Sequence, residues 1–201
     1  MLLVGKNTDK TVVLRFGIPA FVSSFAGALL LVRLSDLQPL YSYILLGKEY
    51  SITPVKFIIA ILLILFSLTE IIPYFRNLQF DRKYLMIGGA LSGFFGGLSG
   101  HQGALRSAFL IKIGFDKTTY IATGIAIACL VDLSRLGVYS TRFLQSGLHD
   151  NLLLVIVATL SAFSGALLGN RLLKKVTLQG VQIFVTTMLI ILAIIIGTGI
   201  I

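Results

Sequence analysis

Cysteine occurs once in the 201 residues, at Cys129, which excludes an internal disulfide and a thiolate metal cluster. Histidine occurs twice and acidic residues eight times, too few for an intramembrane metalloprotease. No Walker loop is present, so ATP hydrolysis by this chain is excluded as well, and no other catalytic signature stands out. Charge is scarce: 12% of residues carry it, about half the fraction of a typical soluble domain. Alternation at period two is missing, so strands are not supported. The opening residues, MLLVGKNTDK, contain an apolar run too short for a secretory signal, with lysines after it rather than before.

What is there is hydrocarbon. Hydrophobic residues make up 56% of the chain, and mean hydropathy is +0.95. Apolar runs at 12–32, 55–72, 84–111, 118–139, 151–172 and 181–201 fill nearly the whole length. Each is close to the roughly 20 residues that cross a bilayer core, and no room is left for a soluble domain. Net charge is +9, but Lys and Arg gather in short loops, where they set topology and meet anionic headgroups. The expected partner is the lipid bilayer and not nucleic acid. Cys129 lies in an apolar run and reads as packed and inert.

Residues 88–110, GGALSGFFGGLSGHQGALRSAFL, break this pattern. Glycines interrupt the apolar run beside His101, Gln102 and Arg106. Such a segment either unwinds at mid-depth so that backbone groups meet a solute, or lets two helix backbones cross closely. The polar trio favours the first, because an ionisable group at membrane depth is costly and usually functional.

The chain also repeats itself. AFVSSFAGALLLVRL at 20–34 aligns without gaps on ATLSAFSGALLGNRL at 158–172, with nine of fifteen positions identical at an offset of 138. Residues 81–201 then form a complete repeat half: the broken segment and three spans. Residues 1–80 hold only the last two spans of the other half. Shifting Gly88 by the offset gives 88 − 138 = −50. The expectation is that about fifty residues, with a second glycine-broken segment, are missing or are supplied from elsewhere.

Loop charges test the topology. If segment 84–111 crosses the membrane once, the two sides carry seven and seven Lys or Arg. If it dips in and returns, one side carries eleven: Lys6, Lys10, Arg15, Arg76, Arg82, Lys83, Lys112, Lys117, Arg171, Lys174 and Lys175. The other keeps Arg33, Lys48 and Arg142. The positive-inside rule selects eleven against three, with the amino terminus cytoplasmic and the repeat inverted. The expected fold is an all-α polytopic membrane bundle of inverted repeats with a glycine-broken re-entrant segment.

Within it, Gly97, Ser99, Gly100, His101, Gln102, Gly103, Arg106, Asp132 and Arg135 are the candidate substrate-binding residues. Asp132 and Arg135 are three apart and share a helix face. Asp132 neutralises one arginine, so one net positive charge remains, which suits an anion. Arg135 could instead snorkel to the interface near Tyr139. His101 either carries a coupling proton or closes the turn as a neutral hydrogen-bonder. No metal or cofactor is expected; the other histidine, His149, sits in a loop. Glu70 reads as interfacial, and Ser23, Ser24, Ser161 and Ser164 as interhelical hydrogen-bonders.

The motif GALSGFFGGLSGHQGA at 89–104, the Ala-Thr at 122–123 and GALLGNRL at 165–172 resemble the TauE/SafE family of sulfite exporters and related membrane transporters. The resemblance implies a multi-pass bacterial inner-membrane carrier for small anions, often sulfur oxyanions or organosulfonates, built from two related halves. It departs from the family in lacking the glycine-rich motif near the amino terminus and in carrying His101-Gln102. Its rival is a non-transporting membrane subunit, or a fragment that needs a partner chain or homo-oligomer.

Overall fold

The computed structural model describes residues 7–72, 74, 79–145, 152–172 and 178–200. Lys6, Pro73, Arg76, His149, Lys174 and Lys175 lie outside them, as do the side chains of Glu70, Lys117, Arg142 and Arg171. The fold is mostly helical, as an apolar sequence must be where lipid offers the backbone no hydrogen bonds.

Helix α1 runs Lys10–Ser35. The Asp9 side chain caps its start, accepting from the Val12 N–H at 3.0 Å. A π-helical turn at Val13–Gly17 precedes Pro19, which lacks an N–H for the ladder. Helix α2 follows at Pro54–Ile71, with Thr53 as its N-cap and Pro54 in the first turn. Then come α3 at Leu85–Ser99, α4 at Gly103–Leu110 and α5 at Lys117–Gln145. Helices α6, Leu152–Leu172, and α7, Leu178–Gly197, complete the chain. These match the expected apolar runs closely.

Two expectations fail: Cys129 is exposed on α5 and not packed, and strands are present. Strands β1, Tyr41–Leu45, and β2, Lys48–Ile52, form an antiparallel hairpin between α1 and α2. Leu46 and Gly47 turn it with φ of 54° and 76°, the paired positive φ of a two-residue hairpin turn. Tyr43 stacks on its cross-strand partner Tyr50 at 5.7 Å. Its hydroxyl donates to the Thr198 carbonyl at 2.7 Å, which ties the hairpin to the end of α7.

Helices α1, α3 and α5 run parallel. The Asp9 N–H meets Thr123, Gly17 faces Ile127 and Leu130, and Gly89, Gly93 and Gly97 face Phe16, Ala20 and Ser24 in turn. Their shared core buries Val12, Phe16, Ala20, Leu85, Phe109, Leu110, Ile127 and Val131. Helices α2 and α7 pair antiparallel, with Gly197 against Ala60. Helix α6 shares no extensive interface with any described element, and all its described side chains are exposed.

Large apolar side chains such as Val22, Phe25, Leu133 and Leu160 cover the perimeter, the surface a bilayer would solvate. Lys10–Ser35 and Thr118–Ser140 are long and apolar enough to cross it. Pro54–Thr69, Val155–Gly165 and Ile183–Gly197 are shorter apolar helices. The arrangement is that of a membrane helical bundle.

Candidate functional site

The two readings of the glycine-rich segment divide its glycines between them. Gly89, Gly93 and Gly97 belong to a helix crossing: a side chain on any of them would collide with the backbone of Phe16, Ala20 or Ser24. Gly27 of α1 answers in kind against the Phe94 carbonyl. Spaced four apart, these residues lie along one face of α3, so α1 and α3 meet backbone to backbone. Ser23 and Ser24 add no interhelical bond there. Their hydroxyls donate within α1, to the carbonyls of Ala20 and Phe21.

Gly100 and Gly103 serve the break instead. Gly100 ends α3 with φ +79°, and its N–H bonds the Gly96 carbonyl at 2.9 Å. This is the left-handed cap that glycine adopts most readily. His101 and Gln102 form the link; the His101 N–H donates to Ser99 Oγ at 3.3 Å. Helix α4 then starts at Gly103, where an added side chain would meet nothing within 4 Å. The first-turn N–H groups of α4 have no intrahelical carbonyl to bond.

The chain then doubles back. Ser92 Oγ donates to the Gln102 carbonyl at 3.3 Å, and Phe109 packs on Gly88. The Phe80 N–H bonds the Ala108 carbonyl at 3.1 Å, and Lys112 Nζ reaches Asp81 at 2.6 Å. Helices α3 and α4 are therefore a hairpin whose two ends meet.

Helix α5 lines the break. Arg135 Nη1 lies 3.2 Å from where a side chain on Gly100 would begin. Its guanidinium sits over Tyr139 at 5.6 Å, whose hydroxyl donates to the Gly97 carbonyl at 3.3 Å. Asp132 pairs with Arg135 at 3.5 Å. Arg106 has no carboxylate partner among the described residues. It lies against Gly124, with Nε 3.6 Å from where a side chain there would begin.

Four buried polar atoms near this region lack a hydrogen-bond partner: Arg106 Nη1, Arg135 Nε, Gln102 Oε1 and Ser134 Oγ. Gln102 is only 8% exposed. Unpaired buried donors are expensive, and a guanidinium donor one turn into a helix, as Arg106 is, suits an oxygen-rich anion.

The candidates do not all converge. Gly124 and Arg135 are 135 − 124 = 11 residues apart on α5, about 16 Å along its axis. Arg106 and Arg135 thus mark two stations, with Gln102 between them. Gly97 is spent on the crossing, while Ser99, Gly100, His101 and Gly103 shape the break. Sequence reasoning missed Tyr120, whose hydroxyl donates to Ser107 Oγ at 3.0 Å beside Arg106, and it missed Ser92 and Ser134. Positions 120, 124, 127, 131, 134 and 138 recur at helical spacing, a signal that was there to use. No group of three or more His, Cys, Asp or Glu side chains converges among the described residues.

No curated protein and no solved structure matches the chain. Glycine ladder, helix break and apolar bundle accord with a match to the family model described as sulfite exporter TauE/SafE over residues 3–196, and the chain belongs to that family.

Proposed function

We propose that the chain is a secondary transporter of small anions, sulfur oxyanions such as sulfite or organosulfonates, in the bacterial inner membrane. The observation that carries this reading is Arg106, whose Nη1 is buried and unpartnered one turn into α4, beside the open start at Gly103. A cation so placed, with free backbone N–H groups nearby, favours an anion. His101 is half-buried at the link and is the candidate for a coupling proton.

In this reading the α3–α4 hairpin is re-entrant. Its paired ends, Phe80 with Ala108 and Asp81 with Lys112, support that topology. In this reading Lys83 and Lys112 share one side, in line with the eleven-to-three charge count. The carboxyl terminus is then external, and residues 1–80 and 81–201 are unequal parts of an inverted repeat.

The test is flux. Protein reconstituted in liposomes should move sulfite, thiosulfate or a sulfonate, and Arg106→Gln should abolish it. If none of these anions moves and Arg106→Gln binds them like the wild type, the reading fails. The exposed α6 favours a second reading, a membrane subunit that works only with a partner chain.

A further inference from the structure

The hairpin between α1 and α2 has two unlike faces. Side chains alternate across a strand, and the register puts Tyr41, Tyr43 and Leu45 on one face with Lys48, Tyr50 and Ile52. Ser42, Ile44, Glu49 and Ser51 share the other. On the first face the tyrosines stack in a row, Tyr41 on Tyr43 at 6.4 Å and Tyr43 on Tyr50 at 5.7 Å. That face is turned toward the bundle. The Tyr43 hydroxyl donates to the Thr198 carbonyl at 2.7 Å, just past α7. Lys56 Nζ, in the first turn of α2, donates to the carbonyls of Ser51 and Gly199, and Gly199 lies against the Ser51 backbone. These contacts lay the middle and base of the hairpin across the end of α7. Other parts of the tyrosine face and the tip stay open: Tyr41 is 64% exposed and Leu46 95%, and Leu40 and Leu45 are exposed as well.

We propose that the tyrosine face is an interfacial anchor, seated in the headgroup layer of the bilayer around the bundle. Leu45 and Leu46 enter the outermost acyl region, the Tyr41 ring lies at headgroup level, and the Lys48 ammonium on the same face meets lipid phosphate. Position names the occupant. The hairpin is tied to the ends of two apolar helices, Pro54–Thr69 and Ile183–Gly197, whose exposed side chains, Phe57, Ile61 and Ile194 among them, form part of the lipid-facing perimeter. The tyrosine face continues that surface at its rim. The chemistry fits the depth. Tyrosine gathers where membrane meets water, because its ring is apolar and its hydroxyl is wet. Lysine keeps its charge among the headgroups while its stem covers apolar surface. Ser42, Glu49 and Ser51 on the other face suit water. A lone two-stranded hairpin is marginally stable at best, and the end of α7 supports this one only at its middle and base. Lipid under the remaining apolar side chains supplies the rest of the support.

The chain contains no tryptophan, so a single introduced one reports its own depth. Leu45→Trp on the tyrosine face and Ser42→Trp on the other are each made in the full chain and placed in phosphatidylcholine nanodiscs, with and without lipid brominated near the top of its acyl chain. Brominated lipid should quench the Leu45→Trp emission and spare that of Ser42→Trp. Aqueous iodide should quench Leu45→Trp roughly threefold less than Ser42→Trp, as suits a ring held at the membrane interface. Equal iodide quenching of the two, with no effect of brominated lipid, stands the hairpin in water and overturns the proposal. So does shielding of Leu45→Trp from both quenchers, which means that protein and not lipid covers the face. If Leu45→Trp does not fold, Tyr41→Trp replaces it, an aromatic exchange on the same face with the same expected and overturning results. None of these readouts involves anion flux, so this proposal and the transport reading fail separately.

Discussion

Asp81 and Lys112 are thirty-one residues apart in sequence and meet at 2.6 Å. Between them the chain rises through α3, breaks at Gly100–Gln102 and descends through α4. The pair, with the Phe80–Ala108 hydrogen bond beside it, closes the hairpin at its base.

Cysteines introduced at Lys83 and Lys117 in a Cys129→Ser background should label from the same side of the membrane with an impermeant maleimide. A cysteine at Lys48, on β2, should label from the other. Labelling of positions 83 and 117 from opposite sides would return the topology to the seven-to-seven tie.

The base of the hairpin should be acid-sensitive. The hydrogen bond and the charge of Lys112 hold the Asp81 carboxyl below its ordinary 3.8, outweighing the opposing effect of burial. A carboxylate lowered in this way contributes stability that is present above its unfolded value and is lost as pH falls through the folded one. Asp81→Asn should flatten the acid side of a melting-temperature profile in detergent. The effect should be small, because both side chains are exposed.

Gly93→Ala and Gly103→Ala should behave oppositely. The first pushes a methyl into the Ala20 backbone and should destabilise the protein by about 1–3 kcal/mol. The second enters open space and should stay within about 0.5 kcal/mol of wild type. Thermal unfolding in one detergent compares them directly.

Gly100→Ala combines two penalties. A φ of +79° strains any residue with a Cβ, at about 1–2 kcal/mol. The new methyl also crowds the Arg135 guanidinium at 3.2 Å. The variant should melt lower than wild type, and Arg135→Gln in the same chain should recover the crowding part alone.

Asp132 should couple to Arg135 more strongly than to Arg106. In a double-mutant cycle on stability, Asp132→Asn with Arg135→Gln should show a coupling of about 0.2–1 kcal/mol, as suits a partly exposed pair. Asp132→Asn with Arg106→Gln should show a smaller one, because no direct ion pair joins them. A larger coupling in the second cycle would move the carboxylate to Arg106.

The helices were legible because each is a long apolar run, and the break because glycine and polar residues interrupt one. The hairpin at 41–52 was not legible. Each strand is five residues, and Leu46 takes a positive φ that leucine rarely adopts. The division of labour among the glycines was also hidden. Gly97 and Gly100 stand three residues apart in one string, and only the partner helix decides that the first is a contact and the second a cap. The pairing of Asp132 stayed open because spacing along α5 says nothing about where α4 places Arg106.

The contact between α1 and α3 has a mechanical meaning. Side chains ordinarily form a compliant layer between helices, changing rotamer as the helices slide. At Gly89, Gly93, Gly97 and Gly27 that layer is absent, and the bumps of one backbone sit in the hollows of the other. Sliding or rolling would have to lift the helices apart first. Any motion that widens the break must carry α1 and the rising arm of the hairpin together, as a single rigid rail.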